Sequence, residues 1–145
     1  MSGQTIVLNS GIFIKIRDIN GLEHNPSVLT VPIDIVSHYV SLRKSKLVCV
    51  FIDHKLVPVS SYTEILLGIY KNIGRQILLR HTLLNISLDV CDSMGYTYYS
   101  ELGMSIQTAD ELRIVNEIFE WMRFRRQTLE MFVELRNGET IKIVQ

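Results

Sequence analysis

Between positions 11 and 18 the isoleucines Ile12, Ile14 and Ile16 alternate with Phe13, Lys15 and Arg17. A period of two sends neighbours to opposite faces and predicts a strand with one buried face. Asn20-Gly21 follows; both residues tolerate positive φ, which marks a hairpin turn. Residues 27–31 continue the sheet as far as Pro32. From 33 to 42 the pattern supports two readings. Pro32 suits the first turn of a helix with Ile33, Val36 and Val40 inward, whereas the β-branched content favours an extended segment.

Residues 47–52 and 55–59 form a second predicted hairpin about Asp53-His54, and Pro58 pushes its second strand to a sheet edge because proline cannot donate to a ladder. Ser61-Tyr62-Thr63-Glu64 is a capping box: the serine oxygen accepts from the third amide while the glutamate reaches back. It predicts a helix over 61–73 that buries Ile65, Leu66, Ile69 and Ile73 and stops at Gly74. Continued beyond that point, a helix would carry Arg80 into the apolar arc. Segments 77–84 and 86–91 therefore read as strands, and 92–107 as a loop with a strand through 96–99.

Thr108-Ala109-Asp110-Glu111 repeats the capping pattern and opens a helix over 108–126. Acidic residues at its start and Arg123, Arg125 and Arg126 at its end complement the helix dipole. On a helical wheel Leu112, Ile114, Val115, Ile118, Phe119, Trp121 and Met122 cover roughly half the circumference, a stripe wide enough to lie across a sheet. The chain closes with a hairpin of 129–135 and 139–144. A two-residue loop there would oppose Val133 to Lys142 and mix the faces. The three-residue loop Arg136-Asn137-Gly138 instead pairs Val133 with Ile141 and Met131 with Ile143 on one apolar face. It sets Glu134 beside Thr140 and Phe132 beside Lys142 on the other, with Gly138 supplying the left-handed position. Two capped helices among several hairpins predict one α+β domain over 1–145 with a mostly antiparallel sheet.

Composition narrows what such a domain does. Fifteen basic residues balance fifteen acidic ones, so any contact with nucleic acid or an anionic membrane must come from a local patch. Ala109 is the only alanine, a bias toward strands that is also common in rapidly evolving viral genomes. Residues 1–10 lack a basic stretch followed by an apolar one, and the longest apolar run, 47–52, is far short of the roughly 20 residues a membrane span needs. An intracellular protein, soluble or peripheral and not secreted, is expected, with Cys49 and Cys91 as buried free thiols.

No catalytic, metal or nucleotide signature emerges. The histidines His24, His38, His54 and His81 fall in no metal-binding spacing, and no cofactor is implied. Asp34 and His38, four apart, would share a face if 33–42 is helical; that pair is the one candidate for acid–base chemistry in a small enzyme. Asp53-His54 is expected to be a turn. Basic clusters carry more information. Arg43, Lys44 and Lys46 lie on a connection where they would meet phosphate or an anionic membrane surface. Arg123, Arg125 and Arg126 surround Phe124, which lies opposite Val115 on the wheel, and Arg136 follows at the hairpin tip. An aromatic residue flanked by arginines on an outer face suits a protein interface, although Phe124 folded back onto the core fits the pattern equally. Tyr96, Tyr98 and Tyr99 form another aromatic cluster.

The order of capped aromatic helix and hairpin over 108–145 resembles, without a diagnostic motif, small matrix proteins of negative-strand RNA viruses. The resemblance implies self-assembly under a membrane, with the basic clusters toward lipid headgroups or nucleocapsid. The leading expectation is a non-catalytic structural protein, possessing no active site, that oligomerises or docks to another protein. A nucleic-acid-binding module using the same arginines is the alternative.

Overall fold

The computed structural model describes residues 5–7, 13–15 and 28–145. Strands β1 (Thr5–Val7) and β2 (Phe13–Lys15) pair antiparallel with Ile6 opposite Ile14, so the first predicted strand is seen in part; Asn20-Gly21 and His24 lie outside the described residues. Then come β3 (Leu29–Pro32), a 3-10 turn (Ile33–Ile35), α1 (Val36–Tyr39), β4 (Lys46–Ile52) and β5 (Lys55–Val57). Helices α2 (Tyr62–Lys71) and α3 (Arg75–His81) precede β6 (Ile86–Ser87), β7 (Tyr96–Tyr99) and β8 (Met104–Gln107). The chain closes with α4 (Glu111–Phe124), β9 (Leu129–Glu134) and β10 (Thr140–Val144).

The main sheet has the order β3-β10-β9-β4-β5 and is antiparallel except where β3 runs parallel to β10. A smaller antiparallel sheet has the order β6-β8-β7. The result is an α+β fold with a mostly antiparallel sheet, as the pattern predicts. The C-terminal hairpin has the predicted register, Val133 with Ile141, Met131 with Ile143, Glu134 with Thr140 and Phe132 with Lys142. Gly138 sits at φ 91° in its loop. Asp53 and His54 adopt φ 50° and 65°, a two-residue turn with both residues left-handed, which matches the strand twist. Beyond that turn β5 is an edge strand, as Pro58 requires.

One face of the main sheet carries Val31, Leu47, Val50, Met131, Val133, Ile141 and Ile143 into a core shared with α2 and α4. A bulge between Leu47 and Cys49 turns Val48 and Cys49 to the same side. There Cys49, Phe51 and Phe132 make a second buried cluster on the sheet's other face, the two rings meeting edge to face at 6.1 Å.

Several expectations need correction. Of segment 77–84, residues 77–81 belong to helix α3 and 82–84 are irregular; α3 buries only Leu78, and Ile77 and Leu79 stay exposed, so Arg80 never has to enter an apolar arc. Of 86–91 only Ile86–Ser87 is a strand; Cys91 lies beyond it and is half-exposed, whereas Cys49 is buried in β4. The expected loop 92–107 contains the expected strand at 96–99, but it also ends in β8, whose Met104 and Ile106 enter the core. Finally, Asp110 rather than Thr108 caps the last helix, its carboxylate accepting from the Arg113 amide at 2.8 Å. In α2 the expected Ser61 cap forms, accepting from the Glu64 amide at 3.1 Å, but Gly74 does not end that helix: Asn72 does, and Gly74 begins α3. Of the two readings of 33–42, the helical one is met in part: Pro32 ends β3 as an extended residue, a 3-10 turn and the single turn α1 follow, and Ile33 and Val36 are buried, while Val40 is already extended.

Candidate interaction surface

On the α4 wheel the side opposite Val115 carries Arg113, Glu117 and Phe124. Sequence reasoning treats that side as the outer, solvated one. Instead the end of α3 and the residues after it lie across it, and they bury Glu117 completely. Its carboxylate accepts from the Tyr70 hydroxyl, the Thr82 hydroxyl at 2.5 Å, the Leu83 amide at 2.9 Å and the Trp121 indole at 3.1 Å. Every partner is a donor, which is what an acceptor-only ionised carboxylate requires when no cation neutralises it. Burial, and then the bond to Glu117, hold the Tyr70 hydroxyl well above the usual phenol range. Arg113 adds a clamp by donating to the Leu83 carbonyl at 2.6 Å. Nothing in the sequence marks Glu117 except its place 40° outside the apolar arc.

This network fixes the backbone on which an exposed surface stands. Phe124 is 59% exposed at the end of α4, yet it is not loose: its ring meets Trp121 edge-on at 5.5 Å and His81 at 6.2 Å. Ile77 lies one turn before His81 on the same flank of α3 and is 44% exposed; Leu83, just past the helix, is 50% exposed. An aromatic residue held by two rings beside exposed aliphatic ones is an interface-like surface.

The arginines expected to frame Phe124 diverge. Arg123 pairs with Glu120 at 2.7 Å and with Asp34 at 3.5 Å. Arg125 turns toward a recess between α2 and the β4–β5 edge. Arg126 is the left-handed residue of a helix stop, at φ 56°, with its amide bonded to the Arg123 carbonyl and the Gln127 amide to the Met122 carbonyl. Arg136 belongs elsewhere. Strand β9 runs away from the helix end, and Glu134 pairs with Lys46, so the 136–138 tip shares the sheet end of Arg43, Lys44 and Lys46. All four side chains there are exposed, among the carboxylates of Glu134, Glu139 and Glu111.

Asp34 and His38 do not form the acid–base pair considered above. No hydrogen bond or ion pair joins them; Asp34 sits in the 3-10 turn and engages Arg123. His38 instead lines an open groove of about 700 Å³ with Tyr39, Arg43, Asp110 and Glu111, in which no two ionisable side chains are hydrogen-bonded to each other. Among the described residues no cluster of His, Cys, Asp and Glu could hold a metal ion, and no helix is long and apolar enough to cross a membrane. Comparisons with protein-family models, curated proteins and solved structures find no match.

Proposed function

We propose that this chain is a non-catalytic interaction protein that works by self-association, with Phe124 at the centre of the contact. The observation carrying this reading is a large aromatic side chain that is mostly exposed yet already in contact with the Trp121 and His81 rings. Such a ring loses little conformational entropy on binding, the property that makes aromatic residues interface anchors. A second copy of the chain is the occupant that the charges favour. Glu120 lines the recess beside Phe124 and pairs with Arg123, which also reaches Asp34, so both signs occur on this flank of α4 and a two-fold related copy can pair with them. Zero formal net charge removes long-range repulsion between copies. Phe124→Asp tests the reading by sedimentation velocity: the variant should sediment as a smaller species while its circular dichroism stays that of the wild type. An unchanged sedimentation coefficient refutes it.

A second reading, binding of a nucleic-acid phosphate backbone, draws support from the closeness of Arg136 to Lys46, Arg43 and Lys44. Such binding would weaken steeply as salt rises, whereas association through Phe124 would not.

A further inference from the structure

Below α2, against the β4–β5 edge and the end of α4, lies a slot of about 220 Å³. That is the volume of about seven liquid waters, a space for a leucine-sized molecule. Ile52, Val57, Ile65, Ile69 and Met122 form its apolar wall. Gly68 opens it. Glycine inside a helix costs stability relative to alanine, and it is normally kept for an unusual φ or a close contact. Neither applies: Gly68 is helical, and a Cβ there would meet nothing within 4 Å. What the glycine preserves is the space itself.

Four polar side chains line this slot, and one of them, Asn72, already donates to the Gly68 carbonyl at 3.0 Å. Arg125 has no ion-pair or side-chain hydrogen-bond partner among the described residues, unlike Arg113 and Arg123 on the same helix. Gln127 spends its side-chain nitrogen on Asp53 at 3.4 Å, which leaves its oxygen buried without a donor. Glu64, held by the Ser60 hydroxyl at 2.5 Å, supplies a negative charge one turn before Gly68. A cation lacking an anion, an acceptor lacking a donor and a carboxylate around an apolar wall define one ligand chemistry. We propose that the slot binds a free branched-chain α-amino acid. Its carboxylate meets Arg125, its ammonium meets the Gln127 oxygen and Glu64, and its side chain fills the space over Gly68.

The test is a titration of the full chain with L-leucine, followed by amide and methyl NMR shifts. Saturable shifts are expected at Gly68, Ile69 and Met122. 4-Methylpentanoate, which lacks the ammonium, and 3-methylbutylamine, which lacks the carboxylate, should each bind about tenfold more weakly or worse, as losing a charge-assisted hydrogen bond implies. N-acetyl-leucine and leucinamide, which mimic peptide-linked leucine, should be weaker in the same way. Gly68→Leu should abolish binding by filling the slot. Arg125→Gln, an exposed change that leaves folding intact, should weaken leucine about tenfold and leave 3-methylbutylamine unaffected. Absence of saturable shifts overturns the proposal. So does leucine binding that both variants leave unchanged, or equal affinity for leucine and its two half-analogues.

Discussion

Replacing Glu117 by glutamine tests whether the buried carboxylate is what holds α3 against α4. The two side chains are nearly the same size, so little cavity or strain contributes. If the amide oxygen takes the position of Oε2, it keeps the Tyr70, Thr82 and Trp121 donors, and the new NH2 then faces the Leu83 amide, donor against donor. One orphaned buried N–H costs about 1–3 kcal/mol, and the three retained bonds lose their charge assistance. Relief from burying a charge offsets part of this, so the net loss should be about 2–4 kcal/mol. That is a large share of the roughly 5–15 kcal/mol that a domain commands. Urea unfolding followed by Trp121 fluorescence gives the number. A double-mutant cycle with Tyr70→Phe should show coupling of about 1 kcal/mol or more, since both changes act on one contact. A loss below about 0.5 kcal/mol with no coupling would refute the account.

Three further outcomes follow from backbone and burial. Arg126→Gly should raise stability by about 1 kcal/mol in the same urea assay, because a non-glycine residue now occupies the left-handed stop of α4. Gly68→Ala should add about 0.5–1 kcal/mol, since its methyl group enters open space on a helix. The Tyr62 hydroxyl is pushed up to about 12 by burial, an effect the Ser45 hydrogen bond opposes, and Tyr70 is raised as well. A raised folded-state value stabilises the fold below the ordinary phenol range and loses that contribution as pH climbs through the shifted value. Stability should therefore fall between about pH 10 and 12, and Tyr62→Phe should lessen the fall in a thermal-melt series.

How much of this was legible in the chain depended on whether a local pattern had one solution. The 136–138 loop did, because the two-residue alternative would have opposed Lys142 to Val133. The Asp53-His54 turn and the edge position of β5 followed from turn chemistry and Pro58 in the same way. Helix α3 did not, since a helix burying Leu78 alone leaves no stripe to detect. Strand β8 was hidden because Ser105, between Met104 and Ile106, is buried by bonds to the Asp89 carbonyl and the Cys91 amide that only the fold provides. The surface around Phe124 was half-legible. The wheel put Phe124 opposite Val115 but left exposure and folding back equally open, and its contact with His81 and the dispersal of the arginines depended on where α3 lies and which way β9 runs. Gly68 was a visible signal, a glycine inside a capped helix, whose meaning needed the slot below it.

The proposed self-association runs through an apolar, aromatic contact. Sedimentation equilibrium on the wild-type chain, across a broad concentration range at low and high salt, tests it most directly. The average mass should rise above 16.7 kDa with concentration at both salt levels. A mass fixed at the monomer value throughout, or an association that high salt abolishes, would contradict it.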